Sequence, residues 1–200
     1  MISNYLLNAY ENDDTINDVE FSDDEAEELD FTGISFENVI FRKCIFKNCT
    51  FNKAEFYDCE FISCDLSNCE FTDSYWKNDK LSKSKLTGAE FENTTLRSLS
   101  VSDCNLSFSN FSESLLDDVK IMSSNFRQSN MMHITFKRPV LKEVDFTAAE
   151  FFKTSLKDVD LHECKIDGII VSDSFSELKG AKVSSVQAVD LSLLLGIKII

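Results

Sequence analysis

From Phe31 to Val171 every fifth residue is apolar: Phe31, Phe36, Phe41, Phe46, Phe51, Phe56, Phe61, Leu66, Phe71, Trp76, Leu81, Leu86, Phe91 and onward without a slip. The run holds 29 consecutive positions, 14 of them Phe, which the 43% apolar content of the chain does not produce by chance. A second column stands two residues before each of these: Leu29, Ile34, Val39, Cys44, Cys49, Ala54, Cys59, Cys64, Cys69, Ser74, and later Ala89, Thr94, Cys104, Ser109 and Ser114. It is small or β-branched almost throughout. Residues two apart on extended chain point the same way. Both columns are therefore expected to face inward, and the remaining positions, mostly Asp, Glu, Lys, Asn, Ser and Thr, to face water.

A period of five fits neither a helix, at about 3.6, nor a flat strand, at about 2. Two inward residues flanking one outward residue, then two outward in succession, make the chain bend once per repeat. Repeated bending in one sense winds a solenoid whose coils stack as parallel β at about 4.8 Å. The periodicity alone leaves a coil of three sides or four.

The [Ala/Cys/Ser]-x-[Phe/Leu]-x-x pattern resembles the pentapeptide-repeat family over about 145 of the 200 residues. The resemblance implies an all-β fold: a right-handed quadrilateral parallel β-helix of pentapeptide repeats, about twenty residues per coil, ending here in a short C-terminal helix and strand. On four sides, Phe31, Phe51, Phe71, Phe91, Phe111, Met131, Phe151 and Val171 stack on one another. The irregular members of the small column, Asp79, Leu99 and Pro139, fall together on another side. A local distortion of that wall is expected between residues 79 and 139, because an inward Asp79 needs hydrogen-bond partners or a bulge that exposes it. The expected divisions are an acidic N-terminal segment and cap (1–28), the β-helix (29–175) and a helix/strand dimerisation module (176–200).

Charge alters this picture in one respect. Thirty-five acids against 20 bases give −15, which argues against binding nucleic acid directly through its phosphates. Residues 1–30 hold eleven of the acids and no Lys or Arg. No apolar run approaches the ~18 residues of a membrane span, and no basic-then-apolar leader opens the chain, so a cytoplasmic protein off the membrane is expected.

Chemistry is sparse. All seven cysteines (Cys44, Cys49, Cys59, Cys64, Cys69, Cys104, Cys164) lie in the small inward column. Their spacing lacks the CxxC pairs of zinc sites, so they read as core thiols in a reducing compartment. His133 and His162 fall at outward positions on different sides with no nucleophile arranged beside them, and no glycine-rich phosphate loop is present. No catalytic, cofactor-binding or metal residues are expected. Lys77, Lys80, Lys83 and Lys85 read as a solvated patch.

The termini carry the remaining signals. Ile16 and Phe21 keep the five-residue register, so winding could begin there, while Ser22-Asp-Asp-Glu25 reads as a capping box opening a short helix to about Glu28. Residues 1–15, with Tyr5, Leu6, Leu7 and Tyr10, are expected to cover the open end of the solenoid. Ser184-Ser-Val-Gln187 is a second capping box, Ala188 to Leu195 reads as helix, Gly196 as its C′ residue, and Ile197–Ile200 as a short strand. The run Leu178-Lys-Gly180-Ala-Lys182-Val183-x-x-x-Gln187-Ala188-x-x-Leu191-x-x-x-Leu195-Gly196-Ile197-x-Ile199 resembles the C-terminus of Qnr and MfpA type proteins.

That resemblance implies a homodimer joined through the C-terminus. It implies a rod that mimics DNA and binds DNA gyrase and topoisomerase IV, protecting them from quinolones in the Qnr case. The chain departs from Qnr proteins in keeping its register unbroken where they loop outward twice, and is nearer to MfpA on this point. The dimer contact is assigned to Val186, Val189, Leu191, Leu193, Leu194, Leu195, Ile197 and Ile199. The partner-binding face is assigned to the side of the Phe stack, whose outward acids are Asp30, Glu70, Asp73, Glu90, Glu92, Glu113, Glu150 and Asp173 against only Lys53 and Lys153. A structural scaffold with an unrelated partner is the alternative.

The register makes a direct prediction. Phe91→Ala should cost about 3–5 kcal/mol through lost transfer energy and a cavity, whereas the adjacent Glu92→Ala should change stability by less than about 0.5 kcal/mol. Equal melting temperatures for the two variants would refute the register.

Overall fold

The computed structural model describes residues 2–12, 15–194 and 196–198. The chain winds into a parallel β-solenoid in which each coil takes twenty residues: Ile16 pairs with Phe36, Phe36 with Phe56, and Phe56 with Trp76. Four faces result. Among the described residues the first is a seven-stranded sheet from Ile16–Asn17 to Thr135–Lys137, and the second a seven-stranded sheet from Glu20–Ser22 to Val140–Lys142. The third begins as a two-stranded pairing of Glu25–Glu27 with Ile45–Lys47 and continues as single bridges from Asp65 to Lys165. The fourth is a row of bridges from Asp30 through Thr50, Glu70, Glu90, Asn110, Asn130 and Glu150 to Ile170.

The large column fills the lumen as its period required. Every member from Phe31 to Ile166 is buried except the half-buried Phe136. The excess of Phe is explained by stacking between coils: Phe31 on Phe51, Phe71 on Phe91 and Phe91 on Phe111 lie 4.7, 4.7 and 4.8 Å apart with planes within 7° of parallel.

The small column has a second task beyond being small. Its hydroxyls and thiols donate to the carbonyl 23 residues earlier, as in Cys44 to Phe21 (3.3 Å), Thr94 to Phe71 (2.9 Å) and Ser114 to Phe91 (2.6 Å). Several also accept the N–H of the residue one coil earlier, as Ser84 does from Cys64 and Ser114 from Thr94. Cys, Ser and Thr fit because they donate while occupying little space.

The bends explain the scarcity of glycine. From Asp18 to Asp158 every fifth residue has a positive φ, with Gly33 and Gly88 filling two of the places and Asn, Asp, Lys, Ser and others the rest. A non-glycine residue there costs about 1–2 kcal/mol. The turn N–H offsets this by bonding the next coil, as Asp73 does to the Glu92 carbonyl at 3.0 Å.

Three expectations change. Winding starts at Ile16, so the boundary at 28/29 falls inside the first coil, and Glu25–Glu27 is strand where a short helix was expected. The Ser22–Glu25 motif is outweighed by pairing with the second coil, where Arg42 and Lys47 meet Glu20 and Glu25. The wall bearing Asp79, Leu99 and Pro139 is undistorted: Lys80, Ser100, Lys120 and Val140 stay in register. Pro139 fits because the residue one coil on, Val159, offers no side-chain acceptor that an N–H could use. Finally, Ile197 and Lys198 form no strand, since the edge of the last coil is taken by Lys182 and Gln187. Leu195, Ile199 and Ile200 lie outside the described residues.

Both ends are closed. Helix α1 (Ile2–Asn12) lays Ile2, Leu6 and Ala9 over the first coil, sets Tyr5 edge-on to Phe21 at 5.1 Å, and leaves Leu7 exposed. The side chain of Tyr10 lies outside the described residues. At the other end Glu177 is buried, and its carboxylate accepts the Lys153 N–H (2.9 Å) and the Ser172 hydroxyl (2.8 Å). Burial raises its pKa, but these donors outweigh burial and hold the group below its ordinary value. Helix α2 (Ser185–Leu194) starts from the expected capping box, Ser184 N–H to Gln187 Oε1 at 2.7 Å and Gln187 N–H to Ser184 Oγ at 3.2 Å. Gln187 also donates to the Leu161 and Cys164 carbonyls (2.8 and 2.7 Å), pinning α2 across the last coil. Gly196, with φ of 73°, ends the helix, and the Ile197 N–H returns to the Ser192 carbonyl.

Asp79 yields a pH prediction. It is fully buried, Oδ1 accepts the Cys59 N–H at 2.7 Å, and Oδ2 has no partner among the described residues. Burial pushes its pKa from 3.8 to about 7. The folded state therefore holds a proton that the unfolded chain has already released, so stability falls as pH rises from about 4 to about 7 and then levels, by a total of about 4 kcal/mol. Asp79→Ser keeps an acceptor for Cys59 and removes the ionisation. It should melt higher than the parent at pH 8, with the gap closing towards pH 4. A gap independent of pH would show that Asp79 does not titrate in this window.

Candidate partner-binding surface

Stacking in register places each outward side chain over the one twenty residues on, so a charge on one coil meets whatever the next coil carries. On three faces several charges meet their opposites. Arg42 pairs with Glu20 (3.1 Å), Lys80 with Glu60 (2.7 Å), Lys85 with Asp65 (3.2 Å), Arg127 with Asp145 (3.4 Å) and Arg138 with Asp117 (2.7 Å). Of the lysine patch, Lys80 and Lys85 are thus engaged.

The fourth face differs. Its structure gathers the assigned acids in one strip: Asp30, Glu70, Asp73, Glu92, Glu113 and Asp173 are exposed, while Glu90 and Glu150 are half-buried. Asp173 lies in the turn that leaves the last coil rather than on a ladder position. Among the described residues Glu70, Asp73, Glu90, Glu92, Glu113, Glu150 and Asp173 enter no ion pair. Glu70 stands directly over Glu90. The available partners are neutral: Asn52 donates to Glu70 at 3.1 Å and Asn93 to Asp73 at 2.6 Å. The face therefore presents uncompensated negative charge to solvent.

Nearer the C-terminus this face changes character. Met132 and Phe152 occupy outward positions that are polar in the coils before, and both are half-buried. The His133 ring stands 6.3 Å from the Phe152 ring, edge to face, and the Lys153 ammonium lies 5.2 Å above it. The sequence reading passed over Met132 and Phe152. Their signal was available as apolar residues in a row otherwise made of Thr, Asn, Glu and Ser.

A second exposed surface lies on the terminal module. Val186, Val189, Leu193, Leu194 and Ile197 are exposed at 71, 48, 55, 39 and 50%, whereas Leu191 packs on the core and lines an apolar groove of about 340 Å³ with Phe175, Leu178, Val183 and Ala188. The assigned contact residues Leu195 and Ile199 lie outside the described residues.

The remaining titratable candidates are buried thiols and surface histidines, and among the thiols the hydrogen bond with Cys64 lowers the pKa of Cys44 to about 7. All seven cysteines are free and buried. Burial pushes Cys59 and Cys69 up to about 12, and Cys104 and Cys164 up to about 11. His162 is held outside between Asp160 (2.6 Å) and Glu163 (3.3 Å), and the hydrogen bond to Asp160 raises its pKa. Among the described residues no group of three His, Cys, Asp or Glu side chains could hold a metal ion, and no helix is long and apolar enough to cross a membrane.

A family model of the pentapeptide repeat region matches residues 34–121. Comparison with curated proteins gave no match. Among solved structures, a trypsin-treated form of QnrB1, a plasmid-mediated fluoroquinolone resistance protein, is 22% identical with a TM-score of 0.53, over 92% of this chain and 99% of that one. HetL, a pentapeptide repeat protein involved in heterocyst differentiation regulation from the cyanobacterium Nostoc sp. strain PCC 7120, is 13% identical with a TM-score of 0.52, over 88% of this chain and 92% of that one. At these identities the likeness is one of fold. Register, four-faced coil and these matches together give the chain the pentapeptide-repeat fold, a parallel β-solenoid.

Proposed function

We propose that the protein is a DNA mimic that binds type II topoisomerases, DNA gyrase and topoisomerase IV, through its fourth face and shields them from quinolones. The observation that carries this reading is the contrast between faces. Between residues 29 and 173 the bases of the other three faces nearly match the acids in number and several pair with them between coils, while on the fourth eight acids face only Lys53 and Lys153. A protein groove built to take a duplex is lined with cations and would accept such a strip. The C-terminal resemblance and the fold shared with QnrB1 support the choice of partner.

The same reading makes the protein a homodimer through α2. Val186, Val189 and Leu193 recur at helical spacing on one exposed stripe, and a surface of this kind is covered in a soluble rod by a symmetry mate. HetL has an equal structural likeness and a regulatory role of its own, which favours the alternative of a scaffold with an unrelated partner.

A supercoiling assay with DNA gyrase, with and without ciprofloxacin, tests the main reading: the protein should restore supercoiling in the presence of drug. No effect on the enzyme in either condition would favour the scaffold. Reversal of Glu70, Asp73, Glu90 and Glu92 to Lys should abolish the effect, whereas reversal of Asp58, Asp65, Asp117 and Asp118 should spare it. Equal activity of the two folded variants would remove the fourth face from the interaction. Deletion of residues 184–200 should convert a sedimenting dimer to monomer or aggregate, and a full-length chain that is monomeric at micromolar concentration would refute the dimer.

A further inference from the structure

We infer that the partner-binding face is bipartite: an acidic half that attracts a basic surface, and a half in which Met132 and Phe152, with His133 and Lys153 beside the ring, form an apolar anchor. This rests on the reading that the fourth face meets a type II topoisomerase, and it specifies what the two surfaces exchange there.

Three outward rows run the length of this face, and the one that starts at Asp30 carries Glu70 and Glu90 in the first half and Glu150 in the second; the other two differ more sharply between the halves. One reads Thr32, Asn52, Thr72, Glu92, Ser112, Met132 and Phe152; the other, at the left-handed bends, reads Gly33, Lys53, Asp73, Asn93, Glu113, His133 and Lys153. Both change together. Up to Glu113 the two rows are polar or acidic apart from Lys53, and after it they supply a thioether and an aromatic ring in one row and two nitrogen bases in the other. The ring is held in place by the His133 edge contact and by the Lys153 ammonium over its face. It is thus a preset group rather than a mobile one, the condition under which an aromatic anchor contributes to affinity.

The two halves fit one kind of occupant. A uniformly basic groove would suit Glu70, Asp73, Glu90 and Glu92 but would meet like charge at Lys153. DNA and an anionic lipid surface would be repelled by the acidic half. What matches both is a folded protein surface with arginines and lysines opposite the acidic coils and an apolar depression edged by a carboxylate opposite Phe152 and Lys153. Such polarity along the rod also fixes which way round it docks, which a uniform strip of charge does not do.

The two halves should separate in kinetics, because rim charges govern association and packed anchors govern dissociation. Binding of the full-length protein to immobilised DNA gyrase would be followed at low and physiological salt. Glu70→Gln with Glu90→Gln and Glu92→Gln should slow association and flatten its salt dependence while leaving dissociation unchanged. Met132→Ser with Phe152→Ser should leave association unchanged and speed dissociation about tenfold or more. Lys153→Glu changes an exposed side chain and is read only where its melting temperature matches that of the parent. A purely DNA-like face predicts that this added acid tightens binding; the bipartite face predicts faster dissociation. Tighter binding by Lys153→Glu, or unchanged dissociation of a folded Met132→Ser/Phe152→Ser variant, overturns the inference while leaving the topoisomerase reading intact. No binding by the unaltered protein overturns both.

Discussion

One constraint governs the molecule: each turn of the chain rises by a single β spacing, so every residue rests on the residue twenty later. Nothing can be accommodated in one coil without regard to the next. Aromatic rings respond well to this, because offset parallel rings at the coil rise are close to their preferred separation. The fourth-face stack from Phe31 to Phe111 keeps 4.7–5.0 Å throughout. The small column responds with a relay of thiols and hydroxyls that serve carbonyls in the preceding coil. Charges respond only if the sequence alternates their sign, and on the fourth face it does not.

The same constraint decides what was readable beforehand. The large column and the inward cysteines follow from a period that survives any local irregularity, while the four-sided coil came from the family resemblance, because the period alone leaves three sides or four. The Ser184–Gln187 cap was readable because its partners lie within four residues. What escaped lay one coil away. Ser22–Glu25 satisfies a helix-start pattern equally well, and it is the ladder with the second coil, with Arg42 and Lys47 over Glu20 and Glu25, that selects the strand. Asp79 looked disruptive because its accommodation depends on the Cys59 N–H, twenty residues earlier. Ion pairing likewise needed the register applied to charges as well as to apolar residues; counting acids per face found the fourth face but not the reason it stands apart.

A stack also has ends, and they are closed by different means. The first coil is covered by burial, with α1 laying an apolar edge on it. The last coil is closed by polar mimicry. Lys153 N–H, which in earlier coils would meet a carbonyl nineteen residues on, finds the Glu177 carboxylate, and the Leu161 and Cys164 carbonyls find the Gln187 amide. These two side chains replace the coil that does not follow. With Gln187 holding α2 in place, Val186, Val189 and Leu193 lie at its surface.

Charge density limits how far the fourth face can imitate a duplex. The seven coil steps from Asp30 to Ile170, at about 4.8 Å each, span roughly 34 Å, along which B-DNA would carry about 20 phosphates. The face offers eight acids, opposed by Lys53 and Lys153. Their mean separation along the rod, roughly 5 Å, lies within the screening length at physiological salt, about 8 Å, so they act as one field, but one of less than half the charge of a duplex, and the summed attraction is modest. Raising it by adding acids is restricted by the stacking itself, since each new carboxylate would stand over another, as Glu70 already does over Glu90. A solenoid of this kind therefore gains specificity more readily by changing the chemistry of successive coils than by intensifying one charge. The passage from Glu92 and Glu113 to Met132, Phe152 and Lys153 is such a change, made within a register that the backbone does not have to alter.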